Sequence, residues 1–145
     1  MVSFENSDIT IRPIRDDEWE VAFYVIRELR RDLDLQTFLE RVDRQKVSGY
    51  RLIGAFLECT LIAALGFRTL STLARGFHMH IDDLVVASNF RGRGTGRALL
   101  RWAEEKARSE GIDKLFLDSR TEVVGWYRGL GYEPHTAVLM RKRIG

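Results

Sequence analysis

Three glycines at alternate positions separate arginines in the stretch RGRGTGR, which covers Arg91–Arg97. A strand-like apolar segment precedes this stretch, and an amphipathic helical pattern follows it at once. Because glycine costs about 1 kcal/mol per helical position relative to alanine, three glycines at the start of a helix need a specific reason. The first N–H groups of a helix lack partners within it, and backbone without Cβ atoms can approach an anion closely. The stretch therefore predicts a binding site for a phosphate or pyrophosphate.

Two common nucleotide-binding motifs do not match these glycines. A P-loop needs lysine and then serine or threonine directly after its last glycine, whereas Arg97 and Ala98 follow Gly96. The dinucleotide fingerprint Gly-x-Gly-x-x-Gly needs its third glycine where Arg97 stands. The alternative to an anion site is a glycine loop that serves only tight packing.

The strand-like segment before the loop, Phe77–Val86, carries histidines and aspartates that could act as bases. Successive side chains of a strand point to opposite faces. This alternation puts His78, His80, Asp82 and Leu84 on one face, and Met79, Ile81, Asp83 and Val85 on the other. Acids on an otherwise apolar strand are costly to bury without partners. The His-x-His-x-Asp spacing is also compatible with a metal site, but a metallohydrolase needs more histidines and only His135 follows.

The bulk composition excludes several classes of protein. The chain has 145 residues, of which 23 are Lys or Arg and 21 are Asp or Glu, for a net charge of +2. This balance argues against a nucleic-acid-binding module and against an anionic membrane surface as partner, and the length suits one domain over residues 1–145. A lone Cys59 cannot form an internal disulfide. With no apolar signal core and no membrane-length apolar run, we expect a cytoplasmic protein.

Hydrophobic periodicity predicts the element order β-α-α-β-β-β-α-β-α-β. The predicted strands are Ile9–Ile14, Tyr50–Glu58, Thr60–Leu70, Phe77–Val86, Lys114–Asp118 and Ala137–Arg143. The predicted helices are Asp16–Leu33, Thr37–Val47, a helix from the glycines to about Glu110, and Glu122–Leu130. Early hairpins and a late βαβ unit indicate an α/β (α+β) fold with a mixed sheet and helices on both faces. Phe77–Val86 and Lys114–Asp118 are expected to be parallel.

These motifs together resemble the GNAT superfamily of N-acetyltransferases. RGRGTG at Arg91–Gly96 resembles the family's [Arg/Gln]-x-x-Gly-x-[Gly/Ala] pyrophosphate loop, and IDDLVVASNF resembles the strand and turn before it. WYRGLGYE at Trp126–Glu133 is similar to the later FYxxxGF segment. The element order fits the family along nearly the whole chain. The resemblance implies a mostly antiparallel sheet, a splayed parallel strand pair, and acetyl-coenzyme A as cofactor.

The resemblance also implies which residues hold the cofactor. The pyrophosphate would accept hydrogen bonds from backbone N–H groups of the glycine loop, and the pantetheine arm would lie along the edge of the strand before it. The implied cofactor-binding residues are Leu84, Val85, Val86, Arg91, Gly92, Arg93, Gly94, Thr95, Gly96 and Arg97. One departure concerns the position seven residues before the helix tyrosine, where many members have asparagine and this chain has Arg120.

Catalytic roles follow from the same resemblance. Tyr127 matches the family tyrosine that protonates the leaving thiolate, and Asp82 matches an acid that acts as the base, often through water. His80 is the alternative base, and His80 and Asp83 are expected to contact the acceptor. For Asp83 the alternative is a structural role, as a cap or as the partner of an arginine. No metal and no covalent nucleophile are implied, in agreement with the position of Cys59 away from every motif.

The implied activity is transfer of acetyl from acetyl-coenzyme A to a primary amine of a small molecule or peptide, by direct attack in a ternary complex. A homodimer through the C-terminal strand, Ala137–Arg143, is a further implication. One alternative is a non-catalytic acetyl-coenzyme A sensor on the same fold, although a sensor needs neither Tyr127 nor the strand acids. The other alternative is a metal-binding protein built on His-x-His-x-Asp. The sequence does not identify the acceptor amine.

Overall fold

A single mixed sheet organises the chain in the computed structural model, which describes residues 8–145. Its five strands lie in the order β1-β2-β3-β4-β5. They are β1 (Ile9–Pro13), β2 (Arg51–Leu57), β3 (Thr60–Thr72), β4 (Gly76–Val86) and β5 (Leu115–Leu117). The pairs β1/β2, β2/β3 and β3/β4 are antiparallel, and β4/β5 is parallel. The predicted mixed, mostly antiparallel sheet with one parallel pair is confirmed.

Four helices cover the two faces of this sheet. They are α1 (Trp19–Ile26), α2 (Leu35–Val47), α3 (Thr95–Ser109) and α4 (Val124–Gly129). On one face, Phe23 of α1 and Phe38 of α2 share a buried cluster with Leu52 of β2. On the other face, Leu99 and Leu100 of α3 share a second buried cluster with strand residues. The two clusters explain the nearly continuous apolar sequence of β2 and β3, because both of their faces are covered.

The first predicted helix, Asp16–Leu33, is too long at both ends. A 3-10 turn precedes α1, and α1 ends at Ile26. Hydrogen-bonded turns follow, in which Leu29 and Arg30 each donate a backbone bond to the Ile26 carbonyl at 2.9 Å. Asp34 then caps α2 by accepting a bond of 2.7 Å from the Thr37 N–H. The turn brings Arg30 to β4, where it joins the candidate site.

The predicted C-terminal strand over Ala137–Arg143 is wrong. Residues 137–145 form neither helix nor strand, and Val138, Leu139 and Met140 are 78%, 81% and 84% exposed. The last contact of this segment with the sheet comes before it, where the His135 ring lies 5.4 Å from that of Phe116 in β5. Alternating apolar residues form a strand only beside a pairing neighbour, and no strand within residues 8–145 lies beside this segment.

The sequence contains no apolar run long enough for a membrane span, and the lengths of the helices bear on this expectation. Among the helices formed by residues 8–145, none combines the length and the apolar composition that a membrane crossing requires.

Candidate functional site

Strand β5 ends after a short parallel contact with β4, which leaves the rest of this edge of β4 without a strand neighbour among the described residues. Only three residue pairs join the two strands, Met79 with Leu115, His80 with Phe116, and Ile81 with Leu117. Strand β4 nevertheless continues to Val86 and stays paired with β3 along its other edge. The half of β4 from Asp82 to Val86 therefore presents an edge without a strand partner within residues 8–145. This unpaired edge lies where the sequence predicts a splayed strand pair, and it includes Leu84, Val85 and Val86.

A β-bulge at Asp82 changes the direction of the side chains in this strand. Gly66 of β3 pairs with Asp83, but the next residue, Phe67, pairs with Ile81, so Asp82 is the extra residue. The predicted alternation is therefore wrong beyond the bulge. Met79 and Ile81 share their core cluster with Leu84 and Val86, whereas Val85 packs in the opposite cluster with α1 and α2. The bulge thus separates two stretches of regular alternation at the acidic pair.

Asp82 forms a two-point ion pair across the strands. Arg68 of β3 donates to Asp82 through Nε at 2.7 Å and through Nη2 at 2.8 Å. Asp82 raises the pKa of Arg68, first through this hydrogen bond, so the guanidinium stays charged. The His80 Nε2 atom lies 4.0 Å from Asp82 Oδ1 and 3.6 Å from Oδ2 of Asp118, which follows β5. The predicted Asp82 and His80 are therefore neighbours, with His80 between two carboxylates.

Asp83 is held by a second set of partners. Its Oδ2 accepts a hydrogen bond of 2.7 Å from the Tyr50 hydroxyl, and its Oδ1 accepts one of 3.0 Å from Arg30 Nε. Arg30 also donates to the Asp82 carbonyl oxygen at 2.8 Å, which ties the turn after α1 to the bulge. Gly66 makes this network possible, because a Cβ there would lie 1.8 Å from the Tyr50 hydroxyl oxygen. Burial, followed by the Asp83 charge, raises the pKa of Tyr50 well above its ordinary value.

The glycine loop leads directly into α3, as the sequence predicts, and two of its glycines have left-handed backbone conformations. Gly92 and Gly94 have φ angles of 78° and 82°, and Gly94 is the N-cap of α3. Arg91 braces the loop by donating from Nε to the Val86 carbonyl oxygen at 3.0 Å. The space around a Cβ built on Gly92 is open, with no atom within 4 Å. The first N–H groups of α3 therefore stand at a glycine-lined surface that suits an anion.

The remaining loop residues differ in exposure. Thr95 is 1% exposed, and its hydroxyl has no hydrogen-bond partner within residues 8–145. Because its side chain is buried, only its backbone N–H is available to an anion at the surface. Gly96 is buried, and a Cβ built on it would lie 3.4 Å from the Trp126 ring and 3.5 Å from Val86. Arg97 is exposed on the first turn of α3, and Arg93 is half-buried in the loop. The contact through Gly96 holds α4 against the end of β4.

Tyr127 lies on α4. The ring of the preceding residue, Trp126, lies beside Gly96, near the end of the unpaired edge of β4. The half-buried ring of Tyr127 packs against the same core cluster as Leu84 and Val86. The ring stands between those of Trp126 and Tyr132, at centroid distances of 4.9 and 5.7 Å. Burial raises the pKa of the Tyr127 phenol, and the nearby Arg120 charge opposes this shift. The phenol therefore stays protonated near neutral pH and can donate a proton.

The metal-site alternative finds no support in the arrangement of the histidines. The His78 side chain is buried, with Nδ1 2.9 Å from the Gly76 carbonyl oxygen and its ring against Phe116. Within residues 8–145, no three His, Cys, Asp or Glu side chains are placed to hold a metal ion.

Sequence reasoning did not identify the partners of the two aspartates, which are Arg68, Arg30 and Tyr50. It also missed Asp118, which lies beside His80. Arg68 had a usable signal, since a lone charge in the apolar run TLIAALGFRTL must find a partner or water. Arg30 and Tyr50 had none, because their approach to Asp83 depends on how the turn after α1 crosses the sheet.

Comparison of the sequence with known proteins identifies the family. The profile of the Acetyltransferase (GNAT) family matches residues 10–132. The uncharacterized N-acetyltransferase YhdJ of Bacillus subtilis is 33% identical over 104 residues, which are 71% of this chain and 73% of that protein. A glucosamine 6-phosphate N-acetyltransferase of Trypanosoma brucei brucei is 41% identical over 56 residues, only 39% of this chain and 38% of that protein.

Solved structures agree on the fold. The crystal structure of a Trypanosoma brucei acetyltransferase matches with a TM-score of 0.78 and 22% identity, covering 94% of this chain and 99% of that one. Glucosamine-6-phosphate N-acetyltransferase of Arabidopsis thaliana matches with a TM-score of 0.74 and 21% identity, covering 94% and 99%. With the profile match over most of its length and a relative that is 33% identical over 71% of it, this chain belongs to the GNAT family of acetyltransferases.

Proposed function

We propose that this protein is an N-acetyltransferase that transfers acetyl from acetyl-coenzyme A to a primary amine by direct attack in a ternary complex. The observation that carries the proposal is the unpaired edge of β4 from Asp82 to Val86, which leads from an acid-base cluster to the glycine loop. An elongated ligand with a reactive group at one end and phosphates at the other suits such an edge. Family membership supports the acyltransferase class.

The residues along the unpaired edge of β4 and in the glycine loop fit acetyl-coenzyme A. The glycine-lined N-terminus of α3 would hold the pyrophosphate, through the backbone of Gly92 to Arg97. The open edge at Leu84, Val85 and Val86 offers backbone groups to the amides of the pantetheine arm. When bound, the cofactor supplies an activated acetyl thioester. An exposed arginine on each side of the glycines, Arg91 and Arg97, adds the positive charge that phosphates require.

The chain supplies both an acid and a base for the transfer. Tyr127 donates a proton to the departing sulfur, because burial keeps its phenol protonated. For the base, the geometry favours His80 over Asp82, whose two oxygens are bound by Arg68. His80 would accept the proton that the acceptor amine loses, and Asp118 and Asp82 would stabilise the imidazolium that forms. We assign Asp82 the positioning of His80, and Asp83 the anchoring of the turn after α1 through Arg30.

Small-molecule amines are the acceptors that we propose to test first. Two relatives are named glucosamine 6-phosphate N-acetyltransferases, from Trypanosoma brucei brucei and Oryza sativa, so amino sugars and their phosphates lead the panel. Polyamines, amino acids and peptide N-termini complete it. The assay follows release of free thiol from acetyl-coenzyme A and identifies the acetylated amine by mass.

The sensor alternative predicts a different result. A sensor would bind acetyl-coenzyme A and raise the melting temperature, but it would not turn over with any amine. Tight binding without thiol release across the whole panel would therefore favour the sensor. Absence of binding would contradict both proposals.

We also infer that the protein is a homodimer. Val138, Leu139, Met140 and Ile144 are 78% to 94% exposed, and β5 is the last strand of the sheet. A second copy could cover this apolar segment, which follows directly after the contact between His135 and Phe116. Light scattering should give twice the monomer mass, and replacing Leu139 with Asp should shift it toward the monomer. A monomer at high micromolar concentration would contradict the inference.

A further inference from the structure

A positively charged cavity lies on the α1 face of the sheet, apart from the unpaired edge of β4 described above. Its volume is about 570 Å³, which lies in the range of small-molecule pockets. Phe23 and Leu33, which pack on the core, contribute its apolar lining. Its polar lining consists of Arg27, Glu28, Arg31, Ser88 and Arg91.

Three of these polar residues are arginines and only one is acidic. The acidic residue, Glu28, is already engaged, because its Oε1 accepts a hydrogen bond of 3.0 Å from the Ser88 N–H and lies 3.6 Å from Arg91 Nη2. Arg27 lies over the Tyr24 ring at 4.8 Å. Neither Arg27 nor Arg31 has a carboxylate partner among the described residues. The cavity therefore carries positive charge that its own residues do not neutralise.

The cavity adjoins the glycine loop through Arg91. This arginine lines the cavity and immediately precedes Gly92, and it is braced by the Val86 carbonyl and Glu28. We propose that the cavity binds a phosphate group at the nucleotide end of the coenzyme, with Arg27 and Arg31 as its ligands. The proposal rests on the acetyl-coenzyme A site proposed above. It assigns to α1 and the turn after it a part in cofactor binding that no motif in the sequence signals.

The distance along β4 favours the coenzyme over the acceptor as the source of the phosphate. The acceptor amine must reach the cluster of His80 and Asp82. Val86 lies four residues beyond Asp82, roughly 13 Å along an extended strand, and Ser88 and Arg91 lie further on. A coenzyme that lies along the β4 edge ends there. Arg30, which stands between Arg27 and Arg31 in the chain, contacts Asp82 and Asp83, so the phosphate of a small phosphorylated amine is the alternative that the test must exclude.

The test compares coenzyme A with 3′-dephospho-coenzyme A by titration calorimetry, with no acceptor present. The variant is the double substitution Arg27→Gln and Arg31→Gln. The matched control is Arg41→Gln with Arg44→Gln, because these two arginines are exposed on α2, away from the cavity. The control removes the same net charge, so a difference between the two pairs reports the local site. Arg91 is left unchanged because it also serves the glycine loop.

We expect the cavity variant to weaken coenzyme A binding by at least about tenfold, which corresponds to the loss of one charge-assisted hydrogen bond. An unchanged affinity for the dephospho form would identify the 3′-phosphate, and an equal loss for both would identify the diphosphate; both results support the proposal. If the cavity variant binds both ligands like the control pair, the proposal is wrong. A variant that changes only the KM of a phosphorylated amine would also overturn it, in favour of the acceptor. If the wild-type protein binds neither form of the coenzyme, it is the proposed function that fails.

Discussion

Arg68 donates hydrogen bonds of 2.7 and 2.8 Å to the two carboxylate oxygens of Asp82, and this ion pair lies beside the His80 imidazole. A carboxylate held in this way can take a proton from an amine only by giving up part of the pair, and such paired contacts are among the stronger hydrogen bonds in proteins. His80 has a half-buried side chain and no such clamp. The pair therefore supports the proposed division of roles, in which the histidine takes the proton and the aspartate orients the histidine.

This division of roles predicts different pH profiles for two variants. His80→Gln should lower kcat by ~10²–10⁴-fold, the usual contribution of a general base. It should also remove the loss of rate that we expect for the wild type on acidification, because the group that must be unprotonated is gone. Asp82→Asn should lower kcat less and keep that acid limb, although it shifts.

The measurement is kcat/KM against pH with two acceptors of different basicity, since the pKa of the amine itself also shapes the profile. Circular dichroism checks that both variants fold. If Asp82→Asn abolishes the acid limb while His80→Gln retains it, Asp82 is the base and the role of Arg68 must be reconsidered.

The glycine loop allows a matched test of anion binding at opposite ends of one helix. Gly94 at the N-terminus of α3 and Gly111 just beyond its C-terminus both have left-handed φ angles, 82° and 76°. Gly94→Val and Gly111→Val should each cost roughly 1–3 kcal/mol of stability, because a branched residue is strained there. Only Gly94→Val should also weaken acetyl-coenzyme A binding, by at least about tenfold, since it puts a side chain where the phosphates would lie.

Calorimetry below the melting temperature of both variants separates binding from stability. Equal affinities in Gly94→Val and Gly111→Val would remove the pyrophosphate from this loop.

Features set by local sequence could be predicted, and the glycine loop is the clearest case. The glycines precede a helix, as the pattern predicts, and this helix begins at Thr95. Helix termini and turns depend on a few consecutive residues, so periodicity and glycine positions carry the necessary information. The parallel contact of β4 and β5 also followed from the element order.

Features set by pairing between distant segments could not be predicted. The bulge at Asp82 depends on how β3 aligns with β4 around Gly66, so the strand sequence alone suggested an unbroken alternation. The clamp of Arg68 on Asp82 and the contact of Tyr50 with Asp83 follow from that alignment. Strand formation at Ala137–Arg143 failed as a prediction for the same reason, because it needs a neighbour that the pattern cannot supply.

The ion pair of Arg12 with Glu18 predicts how stability depends on pH. Both Arg12 Nη atoms donate to Glu18 carboxylate oxygens at 2.8 Å. This hydrogen bonding lowers the pKa of Glu18 from 4.5 to about 2. A carboxyl whose pKa is lower in the folded state stabilises the protein above pH 4.5, and this stabilisation is lost as the pH falls toward about 2.

Glu18→Gln should therefore reduce the free energy of unfolding by about 1 kcal/mol at pH 7, a value that allows for solvent screening of a partly exposed pair. The difference between variant and wild type should vanish near pH 2. Urea denaturation at both pH values measures it, and Glu133→Gln serves as the control because Glu133 is exposed in the C-terminal coil. A difference that persists at the lower pH would show that the contribution of Glu18 is not ionic.

Tyr127 gives the prediction that bears most directly on chemistry. Tyr127→Phe removes one hydroxyl and little volume, so the ring should still pack between Trp126 and Tyr132. If the phenol protonates the departing thiolate, kcat should fall by ~10²–10⁴-fold while the affinity for acetyl-coenzyme A stays near the wild-type value. Steady-state thiol release and calorimetry measure the two quantities separately.

The acidity of the leaving thiol distinguishes this role from a structural one. A thioester whose thiol has a low pKa needs no proton donor, so Tyr127→Phe should lose little rate with such a donor, whereas His80→Gln should lose as much as with acetyl-coenzyme A. Tyr132→Phe is the control, because its hydroxyl also lies on a half-buried ring but is bound to Glu104 at 2.9 Å. Its effect on rate should be small and independent of the thiol. A Tyr127→Phe enzyme that turns over acetyl-coenzyme A normally, or that loses equal rate with both thioesters, would assign the proton donor to another group, such as water.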